Sequence, residues 1–366
     1  MDGSIKYWVW LSSLVKISPF KRYKLIEYFK DPALIWHSSE EELKKLPFLP
    51  RNIIEKLIDR QMRKDTHNLL EKIQSEYIDV ITFNDEYYPE YLKNIYDPPV
   101  AIYVRGKLIK DETTIAVVGS RNATTYGLGM AESLSHDLSK KGITVASGMA
   151  RGIDSRAHTG ALKAGGRTIA VLGCGLNIVY PYENKELMKK ICDNGAVISE
   201  LLPGVPPIPF NFPARNRIIS GISKGVVIIE ANERSGSLIT ANYALEQGRD
   251  VFAVPGNINS RNSIGTNRLI RDGAKIVLDV ADILDELNLS NGVNNISCKI
   301  NKRSPFADFD SEEKTIAEKL MEGPVHIDTI ARDCGFSVQL VGSVLVMLEL
   351  SGFVEQLPGK FYKLAE

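Results

Sequence analysis

The stretch "AVVGSRNATTYG", residues 116–127, decides the fold of this chain. A short β-branched run ends at Gly119, and Ser120, Arg121 and Asn122 follow before a helical pattern begins. A glycine at a strand end lets the backbone approach a ligand, and the amides at the start of the next helix favour an anion. The pattern predicts a strand, a phosphate-binding loop and a helix. The phosphate could belong to a dinucleotide, a free nucleotide or a nucleic-acid strand.

The same alternation continues through the middle of the chain. Seven apolar runs, mostly separated by amphipathic helical patterns, predict a parallel sheet covered on both faces, which is an extended Rossmann-like α/β domain over residues 76–288. The predicted strands are 115–118, 144–146, 168–172, 196–199, 225–229, 250–254 and 275–278. Most of them run into glycine-containing loops, and ligands of such sheets bind at the carboxyl ends of the strands.

A helical zone precedes this domain. Residues 1–75 carry short helical patterns punctuated by prolines, which predict a SAM-like helical domain. Within it, "LKKLPFLPRNIIEKL", residues 43–57, is either a helix-hairpin-helix that touches DNA backbone or a hairpin that packs inside the domain. The turn has no Gly-x-Gly with which to approach phosphate, so packing is the favoured interpretation.

A polar linker, residues 289–310, leads to a predicted winged helix over residues 311–366. Three helical patterns are followed by "GFVEQLPGKFYKLAE", which is typical of a two-stranded wing. A helix that reads the major groove presents cations or amides to the bases. The third helical pattern contains no Lys or Arg, which favours a protein-contact or packing role over DNA reading.

Composition restricts the possible ligands. The 366 residues include 45 Lys plus Arg and 45 Asp plus Glu, so a polyanion has to be held by a local cluster. Such a basic cluster is expected between residues 114 and 176, where few carboxylates accompany the cations. Those cations are Arg121, Lys140, Lys141, Arg151, Arg156, Lys163 and Arg167.

Cofactors, metals and membranes are not expected. The first loop lacks the second glycine of a dinucleotide fingerprint, and GxxxxGK[ST] is absent, so no NAD, FAD or P-loop ATP site is predicted. The four cysteines are scattered without a CxxC pair, which indicates reduced thiols and no metal site. Without a leader peptide or a long apolar segment, a cytoplasmic protein is expected.

The stretch "PPIPFNFPARNRIISGISKG", residues 206–225, is the most specific one. Its prolines make a stiff segment, and Phe210 or Phe212 could stack on a base. The polar side chains that it delivers, with no carboxylate in the segment, are Arg215, Asn216 and Arg217. In the alternative interpretation, the phenylalanines belong to the core and the arginines are solvated.

These motifs, with "ASGMARGIDSRAHTGAL", "SGSLITANYALEQGRDVFAVPG" and "GTNRLIRDGA" in the same order, resemble the DprA (Smf) family of bacterial DNA-processing proteins. The resemblance implies a dimeric single-stranded DNA-binding protein that protects incoming DNA and helps load the RecA recombinase during natural transformation. It implies the strand-binding residues Gly119, Ser120, Arg121, Lys185, Phe212, Arg215, Asn216 and Arg217. Members often carry a basic residue just before the "FP" pair, where this chain has Pro209, Phe210 and Asn211, so stacking by Phe210 is added.

An enzyme is the alternative class. Asp154 and His158 lie at i and i+4, where a carboxylate could orient an imidazole. Rossmann-like nucleotide hydrolases of the lysine-decarboxylase-like type share the general architecture predicted for this chain. Those hydrolases carry a Pro-Gly-Gly-x-Gly-Thr loop followed by a glutamate, whereas "ERSGSLITANYAL" has no carboxylate after its Gly-Ser until Glu246. We therefore expect no enzymatic activity, and we expect Asp154 either to form a structural hydrogen bond with His158 or to satisfy amides at the helix start.

Overall fold

A computed structural model of the chain describes residues 4–289, 311–320, 325–350, 353–357 and 359–364. The chain divides into two compact units, Met1–Ile296 and Ser297–Glu366. Apart from Leu289, which packs in the core of the first unit, the predicted linker lies outside the described residues.

The first unit begins with six helices around one apolar core. They are α1 Ile5–Ser13, α2 Pro19–Phe29, α3 Pro32–His37, α4 Glu40–Lys44, α5 Arg51–Leu57 and α6 Arg60–Ser75. Proline opens α2 and α3 at a position where its missing N–H costs nothing, and the residue before it caps the helix with a side-chain oxygen. The candidate DNA hairpin at 43–57 buries Leu43, Leu46 and Ile53 in this core, as a packing hairpin would.

A nine-stranded sheet forms the body of this unit, in the order β1-β2-β6-β5-β4-β3-β7-β8-β9. The strands are β1 Asp79–Thr82, β2 Ala101–Gly106, β3 Thr114–Val118, β4 Thr144–Ser147, β5 Thr168–Val171, β6 Gly195–Ser199, β7 Gly225–Ile228, β8 Asp250–Ala253 and β9 Lys275–Ile276. All seven predicted strands are confirmed, and they run parallel. The sequence prediction missed β1 and β2, which extend one edge antiparallel.

Helices cover both faces of the sheet. They are α7 Glu90–Lys93, α8 Thr125–Lys140, α9 Ile153–Lys163, α10 Lys185–Asn194, α11 Asn211–Gly221, α12 Gly236–Glu246, α13 Ile264–Arg271 and α14 Val280–Glu286. Side chains of a strand alternate between faces, so Val118 packs with α11 and α12 while Val117 packs with α8 and α9. This double burial explains why the strands read as continuous apolar runs.

The strand order reverses beside β3. From β3 the chain builds β4, β5 and β6 on one side, then returns to add β7, β8 and β9 on the other. In open α/β sheets the crevice at such a switch point, outside the carboxyl ends of the strands, is where ligands bind. The loop that follows β3 is the glycine loop at residue 119, so the topology points to this loop.

The backbones of helices α8 and α9 approach each other closely at Gly160. A Cβ atom there would lie 2.1 Å from the backbone oxygen of Glu132. We expect Gly160→Ala to lower the free energy of unfolding by about 1–2 kcal/mol, because the two helices would have to move apart. Urea denaturation measures this.

Gly129 on α8 provides the matched control. It is exposed, and a Cβ atom there meets nothing within 4 Å. Gly129→Ala should raise the free energy of unfolding by about 0.5–1 kcal/mol through helix propensity. Equal effects of the two substitutions would contradict the close packing of α8 on α9.

The second unit is a winged helix, as predicted. Its elements are α15 Ser311–Leu320, β10 Val325–His326, α16 Ile327–Cys334, α17 Val338–Leu350, β11 Val354–Leu357 and β12 Phe361–Leu364, with strand order β10-β12-β11. Within the described ranges, no single helix is long and apolar enough to cross a membrane. Among the described helices, α16 and α17 taken together are long and apolar enough, but the two helices are bent by 114° relative to each other.

Candidate nucleic-acid interface

A groove of about 580 Å³ opens at the carboxyl end of β3, between the loop after that strand, the start of α11 and the start of α12. It therefore lies at the switch point of the sheet. Six of the nine residues predicted to bind a strand line it: Gly119, Ser120, Arg121, Phe212, Arg215 and Asn216. Lys185, Phe210 and Arg217 are not part of its lining.

Gly119 and Ser120 shape the loop. A Cβ atom on Gly119 would lie 2.7 Å from the Ile153 side chain, so only glycine fits beside α9. Ser120 is buried: its amide donates to the Glu230 carbonyl at 2.8 Å, and its hydroxyl accepts from the Asn122 amide at 3.2 Å. These two residues hold the turn, and Arg121 is left exposed at its tip.

Arg121 lies over an aromatic ring. Its guanidinium carbon is 5.3 Å from the centroid of the Phe212 ring, and the Tyr180 ring lies 5.4 Å from the same centroid at an angle of 31°. Among the described residues, Arg121 has no ion-pair partner. A free cation beside two planar faces is the combination that binds the phosphates and stacks the bases of single strands. The sequence prediction did not include Tyr180, although this residue lies in the loop "GCGLNIVYP", which follows a predicted strand.

Arg215 forms part of the groove floor and is only 4% exposed. Its Nη1 donates to the Gly148 carbonyl at 2.7 Å and to the Val171 carbonyl, at the ends of β4 and β5. Burial lowers the pKa of Arg215 to about 10, although the Asp154 carboxylate opposes the shift, so the guanidinium stays charged at neutral pH. Arg215 is therefore a fixed positive charge beneath the groove, and for this residue the alternative interpretation, a solvated arginine, is wrong.

Asn216 ties two walls together, because its Nδ2 donates to the Gly236 carbonyl at 3.2 Å and so links α11 to the start of α12. Lys185 is exposed as the first residue of α10. Phe210, just before α11, is 80% exposed. Both are accessible, but the groove itself does not include them.

Arg217 is placed elsewhere by the structure. It is 3% exposed, and it joins the carboxylates of Asp97, at 3.0 Å, and Glu200, at 2.7 Å. Its own segment contains no carboxylate, so no local pattern indicated these partners. The Nε and Nη2 atoms of the guanidinium donate to these carboxylates, and Nη1 is buried without a hydrogen-bond partner among the described residues. Because Arg217 is buried and paired inside the protein, its assignment as a strand contact is corrected.

The expected basic cluster is largely neutralised. Arg151 pairs with Glu183, Arg156 and Lys163 both pair with Glu132, and Arg167 pairs with Glu112. Lys140 and Lys141 lie at the far end of α8. Of those seven cations, only Arg121 lines the groove, whose positive charge therefore comes from Arg121 and Arg215.

Of the two structural roles expected for Asp154, the hydrogen bond with His158 is not formed, whereas the contact with an amide beside the helix start is. Asp154 accepts from the Ala150 amide at 3.3 Å, and burial raises its pKa despite the nearby Arg215 guanidinium. His158 is fully buried with Nδ1 2.7 Å from the Thr168 hydroxyl, and burial lowers its pKa to about 3. Asp154 thus satisfies a backbone amide beside the helix start, and His158 is neutral at neutral pH.

Comparison with known proteins gives consistent matches. The family model "DNA recombination-mediator protein A" matches residues 79–288, and "DprA winged helix domain" matches residues 302–360. Protein Smf from Synechocystis sp. is 31% identical over 389 residues, covering 98% of each chain.

Solved structures are also similar to this chain. DNA processing protein A from Streptococcus pneumoniae has a TM-score of 0.62 at 35% identity and covers 77% of this chain and 97% of its own. The protein of the same name from Helicobacter pylori, described for its single-stranded DNA binding mode, has a TM-score of 0.52 at 29% identity, with 58% and 95% covered.

Proposed function

This chain belongs to the DprA/Smf family, and from that premise we propose that it binds single-stranded DNA in the groove at the carboxyl end of β3. The observation that carries the proposal is the Arg121 guanidinium, which has no ion-pair partner among the described residues, over Phe212 and next to Tyr180. Arg121 would bind a phosphate while a base stacks on the aromatic faces. Arg215 and Asn216 complete the groove, and Lys185 and Phe210 would contact the strand where it leaves.

We further propose that the protein does not act on the strand as an enzyme. Asp154 is the one carboxylate among the described groove-lining residues, and it is 7% exposed, close to Arg215. A general base has to reach the proton that it removes, and this carboxylate instead accepts from the Ala150 amide. These features favour binding over the hydrolase alternative.

From family membership we also propose that the protein forms a dimer. We propose further that it protects incoming DNA and helps load the RecA recombinase onto it during transformation. Light scattering measures the mass of the protein in solution, and a monomer at working concentrations would contradict the dimer. Electron microscopy of RecA on oligothymidine measures filament formation, and equal filament formation with and without this protein would contradict the loading role.

Competition binding tests the main proposal. Labelled oligothymidine should be displaced by unlabelled single strands well before duplex DNA or a nucleoside monophosphate, because stacking needs unpaired bases. The same samples, assayed for released base or sugar, should show none. If the wild-type protein hydrolysed the nucleotide and Asp154→Asn did not, the result would contradict the binding proposal and support the hydrolase.

Removal of the winged helix should leave this binding intact. The exposed side chains of α17 include Val338, Gln339, Val346 and Met347, and the helix contains no cation. A chain ending at residue 310 should therefore bind oligothymidine within about twofold of the full chain, measured by fluorescence anisotropy. A tenfold loss, about 1.4 kcal/mol, would move part of the binding surface into the second unit.

A further inference from the structure

Glu230 follows β7 and is buried, at 2% exposure. Its Oε1 accepts from the Thr124 hydroxyl at 2.5 Å, and its Oε2 accepts from the Thr124 amide at 2.9 Å. The described residues include no ion-pair partner for it, so this buried carboxylate is satisfied by neutral donors alone. An unpaired buried charge is costly, which indicates that its position serves a purpose.

The carboxylate occupies the N-terminus of α8. Thr124 is the residue that caps this helix, since its hydroxyl accepts from the Gly127 amide at 3.1 Å. A helix N-terminus favours an anion, and here the anion is supplied by the protein. The Glu230 carboxylate thus lies where the sequence suggested a phosphate, and in the proposed function phosphate binding falls to Arg121.

Asn262 holds the other end of the same loop. Its Nδ2 donates to the Asn122 carbonyl at 2.8 Å and to Glu230 Oε2 at 3.3 Å, so Glu230 and Asn262 bind the loop on both sides of Ala123. The carboxylate also packs closely against the first turn of α8, because a Cβ atom on Gly127 would lie 2.4 Å from the Glu230 carboxyl carbon. The turn at 119–124 is thus held in place by Glu230 and Asn262.

We infer that Glu230, with Asn262, is a positioning residue that fixes the loop so that Arg121 lies over Phe212 and meets the DNA strand. The inference rests on the proposed DNA binding, but the placement of the loop can be measured without DNA. Glu230 itself is not among the residues that line the groove. It acts by orienting Arg121, which lies three residues before Thr124.

The hydrogen bonds predict different outcomes for two substitutions. Glu230→Ala leaves the Thr124 amide without its acceptor and loosens the loop at its Thr124 end, while the bond from the Ser120 amide to the backbone carbonyl of residue 230 remains. Glu230→Gln keeps an acceptor oxygen for that amide and for Asn262, and its NH₂ can donate to the Thr124 hydroxyl. Glutamine should therefore preserve the loop, whereas alanine should not.

The test combines binding and hydrogen exchange. We expect Glu230→Ala to weaken oligothymidine binding by about tenfold or more and to speed exchange of amides in 119–124 without DNA, and Glu230→Gln to stay within about twofold of wild type in binding. In the double variant with Arg121→Ala, Glu230→Ala should add almost nothing, since both act through one side chain.

Glu112 provides a matched control. It is a largely buried carboxylate in another loop of the sheet, paired with Arg167 at 2.6 Å and with the Thr144 hydroxyl at 2.5 Å. Glu112→Ala should lower Tm but leave both DNA affinity and exchange in 119–124 unchanged.

Each arm can overturn the inference separately. Unchanged exchange in Glu230→Ala refutes positioning, even if the chain proves not to bind DNA. Full additivity with Arg121→Ala, or Glu230→Gln as weak as alanine, refutes it as well. Normal binding by Arg121→Ala, with exchange in Glu230→Ala altered as expected, would instead contradict the proposed DNA contact and keep the positioning role.

Discussion

Replacement of Arg217 with alanine is expected to lower the free energy of unfolding by about 3 kcal/mol, while the folded protein binds single strands as before. The substitution removes a buried guanidinium and leaves the carboxylates of Asp97 and Glu200 without the cation that pairs with them. A broken buried ion pair is strongly destabilising because the remaining charge stays desolvated. Urea denaturation measures the stability, and anisotropy below the transition measures binding.

Arg156 is the matched control for this prediction. It also pairs with a carboxylate, Glu132 at 3.0 Å, but it is half-exposed on α9. Arg156→Ala should therefore change stability by no more than about 0.5 kcal/mol. If Arg217→Ala proved as stable as Arg156→Ala and bound DNA more weakly, Arg217 would return to the set of strand contacts.

The parallel strands were predictable because burial on both faces leaves an unmistakable pattern. The runs at β3 and β7 are β-branched, short and bounded by glycine, so local sequence and tertiary environment agree. β1 reads "DVIT", half polar and only partly buried, and gives no comparable signal. β2 is apolar, but its antiparallel pairing with β6 depends on the direction in which the preceding chain enters the sheet. No local sequence pattern encodes that direction.

The candidate site was predictable in outline only. The glycine loop and Phe212 stand at a strand end and a helix start, and the topology brings them to one groove. The burial of Arg215 and Arg217 was not foreseeable, because their partners come from β4, β5 and distant loops. A count of charges along the chain likewise cannot show which cations are neutralised in space, as Arg167 is by Glu112.

Arg121→Ala is expected to weaken binding to oligothymidine by about tenfold to a hundredfold, or about 1.4–2.8 kcal/mol. The guanidinium over Phe212 offers a charge for phosphate and a flat face for a base, and alanine removes both. Arg121→Lys should bind with intermediate affinity, because it keeps the charge but not the flat face. Anisotropy titrations at several salt concentrations measure the affinity of each variant.

The salt dependence decides what Arg121 does. For each phosphate that the variant no longer neutralises, the slope of log K against log salt should fall by about 0.7, since fewer counterions are released. Arg156→Ala, which removes an equal charge from the outer surface of α9, should leave that slope unchanged. If Arg121 only braced its loop, alanine would lower Tm while the folded fraction kept the wild-type slope. A well-folded Arg121→Ala with an unchanged slope would therefore mean that the strand does not pass over this loop.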